Sequence, residues 1–277
     1  MARRRWGGAL LSAMVAVGFL AGSLPGLAFG QESTLDLVKK RGTLIAGARG
    51  DLYPLGYTNA KGELDGFDAA IFRDFAQKLG VKLELRTITS ATMIPALQSG
   101  TIDIGPTATP TKKREDSIDF SIVVFWDADV VLVKKDSPIT HLKDLEDKTF
   151  AVAQGSFYGA MLKDMFPKAK FVTFEEWTQL VTAVETGKAD ATVATLSFTQ
   201  ILKNRPDSKV RILEENLGRD PLAFLVREND SKWRKWIDGT LQELWKSGKI
   251  QDYTKQYLGF DPVTPMWSPF GLEPGFK

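Results

Sequence analysis

Cysteine is absent from all 277 residues, and histidine occurs once, at position 141. Without a thiol, disulfides, thiolate metal sites and cysteine nucleophiles are excluded, and so is a lipid-anchored cysteine at a processed N-terminus. A Ser-His pairing is open only if His141 itself serves. Its setting, Pro138-Ile-Thr-His-Leu-Lys-Asp-Leu145, reads as a loop entering a short helix, where a surface histidine is expected. An apolar run of the ~20 residues that a membrane-spanning helix needs is also missing. So is an excess of charge of one sign, since 36 basic residues face 34 acidic ones. No basic stripe points to a nucleic-acid partner.

What is present begins with a leader. Arg3, Arg4 and Arg5 precede an apolar stretch from Gly7 to Leu20, and Ala28-Phe29-Gly30 has the small-x-small pattern of a signal-peptidase site. This predicts a cleaved export signal over residues 1–30 and a periplasmic location. The remainder is 247 residues with 33 basic and 34 acidic groups, a formal charge of −1. A chain of that length buries a sufficient core without disulfides.

Hydrophobic periodicity then alternates between strand and helix. Thr43 to Ala48 is a strand, followed by a turn-rich loop from Asp51 to Tyr57. Phe67, Ile71, Phe75 and Leu79 recur at spacing four, which predicts a helix over 67–79 with Gly80 closing it. Lys82 to Ile88 is a strand, Ser90 to Leu97 a helix, and Ile102 starts another strand. The order restarts after residue 140: Lys148 to Ala153 strand, Gly155 to Phe166 helix, Lys170 to Phe174 strand, Glu175 to Thr186 helix, Ala191 to Ala194 strand. Two α/β lobes with mostly parallel sheets follow from this order. Asp129 to Lys135 reads as a strand leading into the second lobe and Pro221 to Arg227 as one leading back. Leu97 to Asp103 and Val184 to Asp190 echo each other, and Asp103 and Asp190 are expected to cap the two helix-to-strand turns. Trp233, Trp236, Ile237, Leu241, Leu244 and Trp245 fall at helical spacing and are expected in the core, with Ile250, Tyr253 and Tyr257 on a second helix. A proline-rich strap follows from Asp261.

The stretch from Gly105 to Arg114 carries the chemistry. Thr107, Thr109 and Thr111 alternate and so share one side of an extended chain, and Arg114 adds a planar five-donor fork suited to a carboxylate. The pattern predicts an anion clamp.

Several segments in order resemble one family. They are Gly42-Thr-Leu, Asp51 with Tyr53-Pro54, Gly62-x-Leu-x-Gly66-Phe67-Asp68, Ile94-Pro-Ala-Leu-x-Ser-Gly-x-Ile-Asp103, Thr109-x-Thr-x-x-Arg114, Asp119-Phe-Ser121, Gln154-Gly-Ser156 and Gly187-Lys-x-Asp-Ala191. Together, over about residues 35–260, they look like the periplasmic solute-binding proteins of polar amino-acid ABC importers, solute-binding family 3. The resemblance implies the two-lobed, type II periplasmic-binding fold: two mixed, mostly parallel sheets flanked by helices and joined by a two-strand hinge. It implies lobe 1 over 31–128 plus 222–277 and lobe 2 over 129–221. It further implies a monomer that closes on a small carboxylate or amino acid and delivers it to an inner-membrane permease, with no cofactor.

Carried over by residue, the carboxylate clamp falls on Arg114, Thr109 and Thr107, facing Gly155 and Ser156 at the start of a helix, where free N–H groups favour an anion. Asp51, Tyr53, Ser90, Phe157 and Thr195 complete the expected ligand site. Three departures bear on the ligand. Thr195 stands where the family has the aspartate that pairs with an α-ammonium, Leu52 and Leu55 replace stacking aromatics, and Met93 replaces the arginine by which the acidic-amino-acid branch reads a side-chain carboxylate. The ligand is therefore expected to be a small carboxylate, either an amino acid whose ammonium meets an acid such as Asp51 or an organic acid with no ammonium. Two other classes stay open: an enzyme of the same fold, such as a dehydratase of cyclic carboxylates, and a ligand sensor acting through a receptor.

Overall fold

The computed structural model describes residues 32–259. The leader expected over 1–30 and the proline-rich strap from Asp261 lie outside the described residues. Helix α1 (Thr34–Arg41), capped by the Ser33 side chain, passes into strand β1 (Thr43–Arg49), whose residues after Thr43 are all buried. The segment expected as a turn-rich loop is a meander of three short strands, β2 (Asp51–Leu52), β3 (Gly56–Thr58) and β4 (Leu64–Asp65). Helix α2 (Phe67–Leu79) has the expected bounds and turns Phe67, Ile71, Phe72 and Phe75 into the core. Strand β5 (Lys82–Ile88) runs parallel to β1 in unbroken register.

Helix α3 (Met93–Gln98) starts later than the expected Ser90. The Thr89 and Thr92 hydroxyls accept each other's backbone N–H, at 3.3 and 2.9 Å, and hold these residues in a turn that competes with the helix. The strand expected at Ile102 is reduced to one bridge between Ile104 and Ala46. Short elements follow, β6 (Thr107–Ala108), α4 (Lys112–Glu115) and β7 (Asp119–Phe120), and then the long strand β8 (Phe125–Lys134).

The second lobe repeats the order: β9 (Thr149–Ala153), α5 (Tyr158–Met165), β10 (Lys170–Phe174), α6 (Trp177–Glu185) and β11 (Ala191–Thr195). Strands β10, β9 and β11 are parallel, with β9 in the middle. The chain returns along β12 (Val210–Val226), a strand that begins well before the expected Pro221. Strand β12 pairs with β8 in the second lobe and, at its far end, with β6 and β7 in the first. The two crossing strands therefore form one continuous antiparallel ribbon between the lobes. Helices α7 (Ser231–Lys246) and α8 (Lys249–Tyr253) pack back on the first lobe.

Trp233 is fully buried, lies face to face with Trp236 at 5.1 Å, and donates its indole N–H to the Asp103 carbonyl at 2.9 Å. The expected core role of these aromatics is what the packing gives. The two echoed aspartates are also structural. Asp103 accepts from Ile45 N at 2.7 Å and pairs with Arg41, and Asp190 accepts from Thr149 N at 2.8 Å. Each ties its turn to the neighbouring parallel strand. His141 is exposed and bonded to Glu215 at 2.6 Å, on the surface as its sequence setting predicts.

Candidate functional site

The cleft lies where strands of both lobes end. It is lined by Arg49 at the end of β1, Leu52, Leu55, Ser90, Thr107, Ala108, Thr109 and Arg114 from one side, by Ser156, Phe157, Tyr158, Trp177 and Thr195 from the other, and by Leu222 on β12. The cavity these residues enclose has a volume of about 40 Å³. That is room for a few water molecules and far below the ~300–1,000 Å³ of ligand pockets, so the cleft is shut down nearly to contact.

The lobes are shut on one another. Arg114 Nη1 donates to the Thr109 carbonyl at 2.7 Å, and Nη2 reaches the Gly155 carbonyl of the opposite lobe at 3.3 Å. Trp177, the first residue of α6, donates its backbone N–H to Asp51 at 2.8 Å and its indole N–H to Ser90 Oγ at 3.1 Å. Gly155 has φ +76°, and a Cβ there would lie 2.7 Å from the Ala91 backbone. Only glycine allows that approach.

The threonines divide their roles differently from the expected row of hydroxyls. Thr107 donates its hydroxyl to Asp68 at 2.9 Å, and Thr109 donates to Asp220 at 3.0 Å. Both still line the cleft, with oxygens that can only accept. Thr111 has left the row: its hydroxyl accepts the Arg114 N–H at 3.3 Å and caps α4. Strand β6 ends at Ala108, and Thr111, still extended, is the residue that hands the chain over to α4. Arg114 itself is 8% exposed and makes no ion pair among the described residues, so its neighbours Glu115 and Asp116 do not neutralise it.

Of the other expected residues, Ser90, Ser156, Phe157 and Thr195 line the cleft, with the Thr195 hydroxyl 3.1 Å from Ser197 Oγ. Gly155 contributes its carbonyl to Arg114. Helix α5 starts only at Tyr158, and the Ser156 N–H and hydroxyl both turn back to the Ala153 carbonyl, at 3.1 and 2.8 Å. The expected pair of free N–H groups at Gly155 and Ser156 is not formed there. Asp51 and Tyr53 lie off the cleft lining: Asp51 serves the contact with Trp177, and Tyr53 packs on Tyr57 with ring centroids 4.9 Å apart.

Five lining residues were not anticipated: Ala108, Leu222, Arg49, Tyr158 and Trp177. Arg49 is 5% exposed, its Nε has no hydrogen-bond partner, and Nη2 makes only a weak contact with Met93 Sδ at 3.6 Å. Tyr158 donates to Asp129 at 2.5 Å. Trp177 forms the cross-cleft contacts above. The signal for Arg49 was its position at the carboxyl end of a parallel strand, where ligands of open α/β sheets bind.

The electrostatics is lopsided. Burial, reinforced by the charge of Arg49, lowers the Arg114 pKa to about 10, and burial lowers Arg49 as well; a guanidinium keeps its proton in proteins. No carboxylate is among the lining residues. Carboxyls stand behind the wall and are pushed toward protonation. Burial raises Asp68 to about 7 against its bonds from Thr107, and burial with repulsion from Asp129 raises Asp220 to about 8. Asp129 is raised by burial despite its bond from Tyr158. Asp129 repels the charge of Asp220, and one proton held between the two relieves it.

The family of bacterial extracellular solute-binding proteins, family 3, matches residues 44–260. A glutamine-binding protein of Geobacillus stearothermophilus is 35% identical over 214 residues, covering 75% of this chain and 81% of its own. An L-cystine-binding protein of Escherichia coli is 25% identical over 254 residues, covering 91% and 95%. Among solved structures, the ancestral amino acid-binding protein AncCDT-1, described as a precursor of cyclohexadienyl dehydratase, matches with a TM-score of 0.76 and 32% identity over 82% of this chain and 100% of its own. A cysteine-binding protein from Campylobacter jejuni matches with a TM-score of 0.76 and 27% identity, covering 82% and 93%.

Proposed function

The chain belongs to the bacterial extracellular solute-binding proteins of family 3, and from that premise we propose that it captures a small carboxylate solute for an ABC importer, acting as a monomer that passes its load to an inner-membrane permease. Residues 1–30 direct its export to the periplasm. The lobes comprise 31–128 with 222–277, and 129–221, and they open and shut about β8 and β12.

The observation that carries this reading is the Arg114 guanidinium, rooted on Thr109 in one lobe and reaching Gly155 in the other. A carboxylate in the cleft meets Arg114, with the hydroxyls of Ser90, Ser156 and Thr195 within the same lining and Phe157, Leu52 and Leu55 as apolar walls. Contacts drawn from both lobes exist together only in the shut form. Binding therefore shifts the population toward it, and closure is the state the permease reads. Relatives named for glutamine and L-cystine support an amino acid as the default ligand. Thr195 and the lack of a lining carboxylate favour an acid whose ammonium, if it has one, is not met by a charge in the cleft.

The chain acts as a carrier and not as an enzyme. The carboxyls nearest the cleft are engaged by Thr107, Thr109 and Tyr158, which supports a structural role over a general acid for turnover. A thermal-shift screen against amino acids and small organic acids tests the reading, because a ligand at 100 times its Kd stabilises by ~2.7 kcal/mol. A hit that survives incubation unchanged and loses its shift in Arg114→Ala supports it. Conversion of the hit to product refutes it.

A further inference from the structure

Arg49 is a second buried cation facing the same small space as Arg114, and among the described residues it makes no ion pair. It is 5% exposed, Nε is buried without an acceptor, and its one hydrogen bond goes to a thioether. The two acids that lean on it electrostatically are held elsewhere: Asp51 by the Trp177 N–H and Asp68 by Thr107. Arg114 likewise has only carbonyl partners among the described residues. The cleft therefore presents two fixed positive charges and no lining negative charge. Burying unpartnered charge is costly, and two like charges in one cavity add repulsion. The arrangement is relieved when a ligand supplies an anion to each.

We propose that Arg49 is a second anion-binding group and that the ligand is a small acid with two anionic groups, one on Arg114 and the other on Arg49. This rests on the carrier reading above and narrows it to a substrate class, the small dicarboxylates. Arg49 takes over, from the end of β1, the reading of a second carboxylate that Met93 cannot perform. Amino-bearing and amino-free dicarboxylates share this chemistry.

The test is isothermal titration of the full exported chain with two pairs of probes that differ by one charge: L-glutamate against L-glutamine, and glutarate against its monoamide. In each pair that binds, the diacid is expected to bind at least 100-fold tighter. Arg49→Met is expected to cut that preference below tenfold, with Arg49→Lys intermediate, and to melt no lower than the parent without ligand, because a partnerless buried cation has been removed. Comparison of the two diacids tells which source is preferred. Equal affinity for the two members of a pair, or a preference unchanged in Arg49→Met, overturns the proposal. If that binding still depends on Arg114, the carrier reading survives. Turnover of a bound probe would instead overturn the carrier reading.

Discussion

Replacing Gly155 by alanine isolates the step on which capture depends. The added Cβ would sit 2.7 Å from Ala91 N and Cα and 2.8 Å from the Ser90 carbonyl carbon, all backbone of the opposite lobe, which cannot swing aside. Ordinary contact begins at 3.4 Å, so the lobes must part by about 0.7 Å at this point. The Arg114–Gly155 bond, already 3.3 Å, would then exceed hydrogen-bonding distance. Losing one hydrogen bond from a charged group costs ~1.5–3 kcal/mol, which is roughly a 10- to 150-fold loss of affinity. The left-handed conformation adds a separate strain of ~1–2 kcal/mol to folding. Gly187→Ala controls for that strain, since Gly187 has φ +75° and a Cβ added there would meet nothing within 4 Å. Both variants should melt lower by similar amounts, while only Gly155→Ala should lose affinity in titration calorimetry. Parental affinity in Gly155→Ala, with the strain visible in its melting, would refute the closed geometry as the binding state.

Further outcomes follow from the same contacts. Arg114→Ala should weaken binding of any carboxylate ligand by ~2–5 kcal/mol, and an unchanged Kd would remove the clamp from Arg114. Trp177→Phe deletes the indole donor to Ser90 and should weaken every ligand by ~0.5–1.5 kcal/mol, through closure and not through selectivity. Asp51→Asn should lower affinity for amino-bearing and amino-free acids alike, because Asp51 serves the Trp177 N–H; a loss confined to amino-bearing ligands would assign Asp51 to an ammonium instead. The Asp129–Asp220 pair gives a pH dependence. Asp220, raised to about 8, keeps a proton that the unfolded chain releases near the ordinary aspartate value of 3.8, so stability falls as pH rises through that window. The slope is at most ~1.4 kcal/mol per pH unit for one proton. Urea unfolding between pH 5 and 8 should therefore show Asp220→Asn gaining on the parent as pH rises, and a constant gap would mean that no proton is held.

The helices and parallel strands were legible because burial on one face imposes a period the sequence displays, as with Phe67, Ile71 and Phe75 on α2. The paired turns at Asp103 and Asp190 were legible as a repeated pattern. The length of β12 was not, because Glu214, Glu215 and Asn216 interrupt its apolar part where the ladder is irregular. Within the site, Arg114 was visible through its neighbours in sequence. Arg49 was hidden because a single arginine at the end of an apolar strand reads as the strand's solvated end, whereas the fold buries it. Trp177 was hidden because a tryptophan at helical spacing reads as core. Its cross-cleft bonds depend on partners at positions 51 and 90, which no local pattern connects to it.

The ladder between β8 and β12 has Phe125 opposite Leu222, Trp126 opposite Pro221 and Asp127 opposite Asp220. The polypeptide thus departs for the second lobe and comes home through facing rungs. Such a stretch behaves as a cassette, since both its seams lie side by side on one antiparallel ladder. Exchanging residues 129–221 for the corresponding stretch of a relative should yield hybrids that fold and keep Arg49 and Arg114 while acquiring a different opposing wall, so selectivity in such proteins can be reassorted half by half.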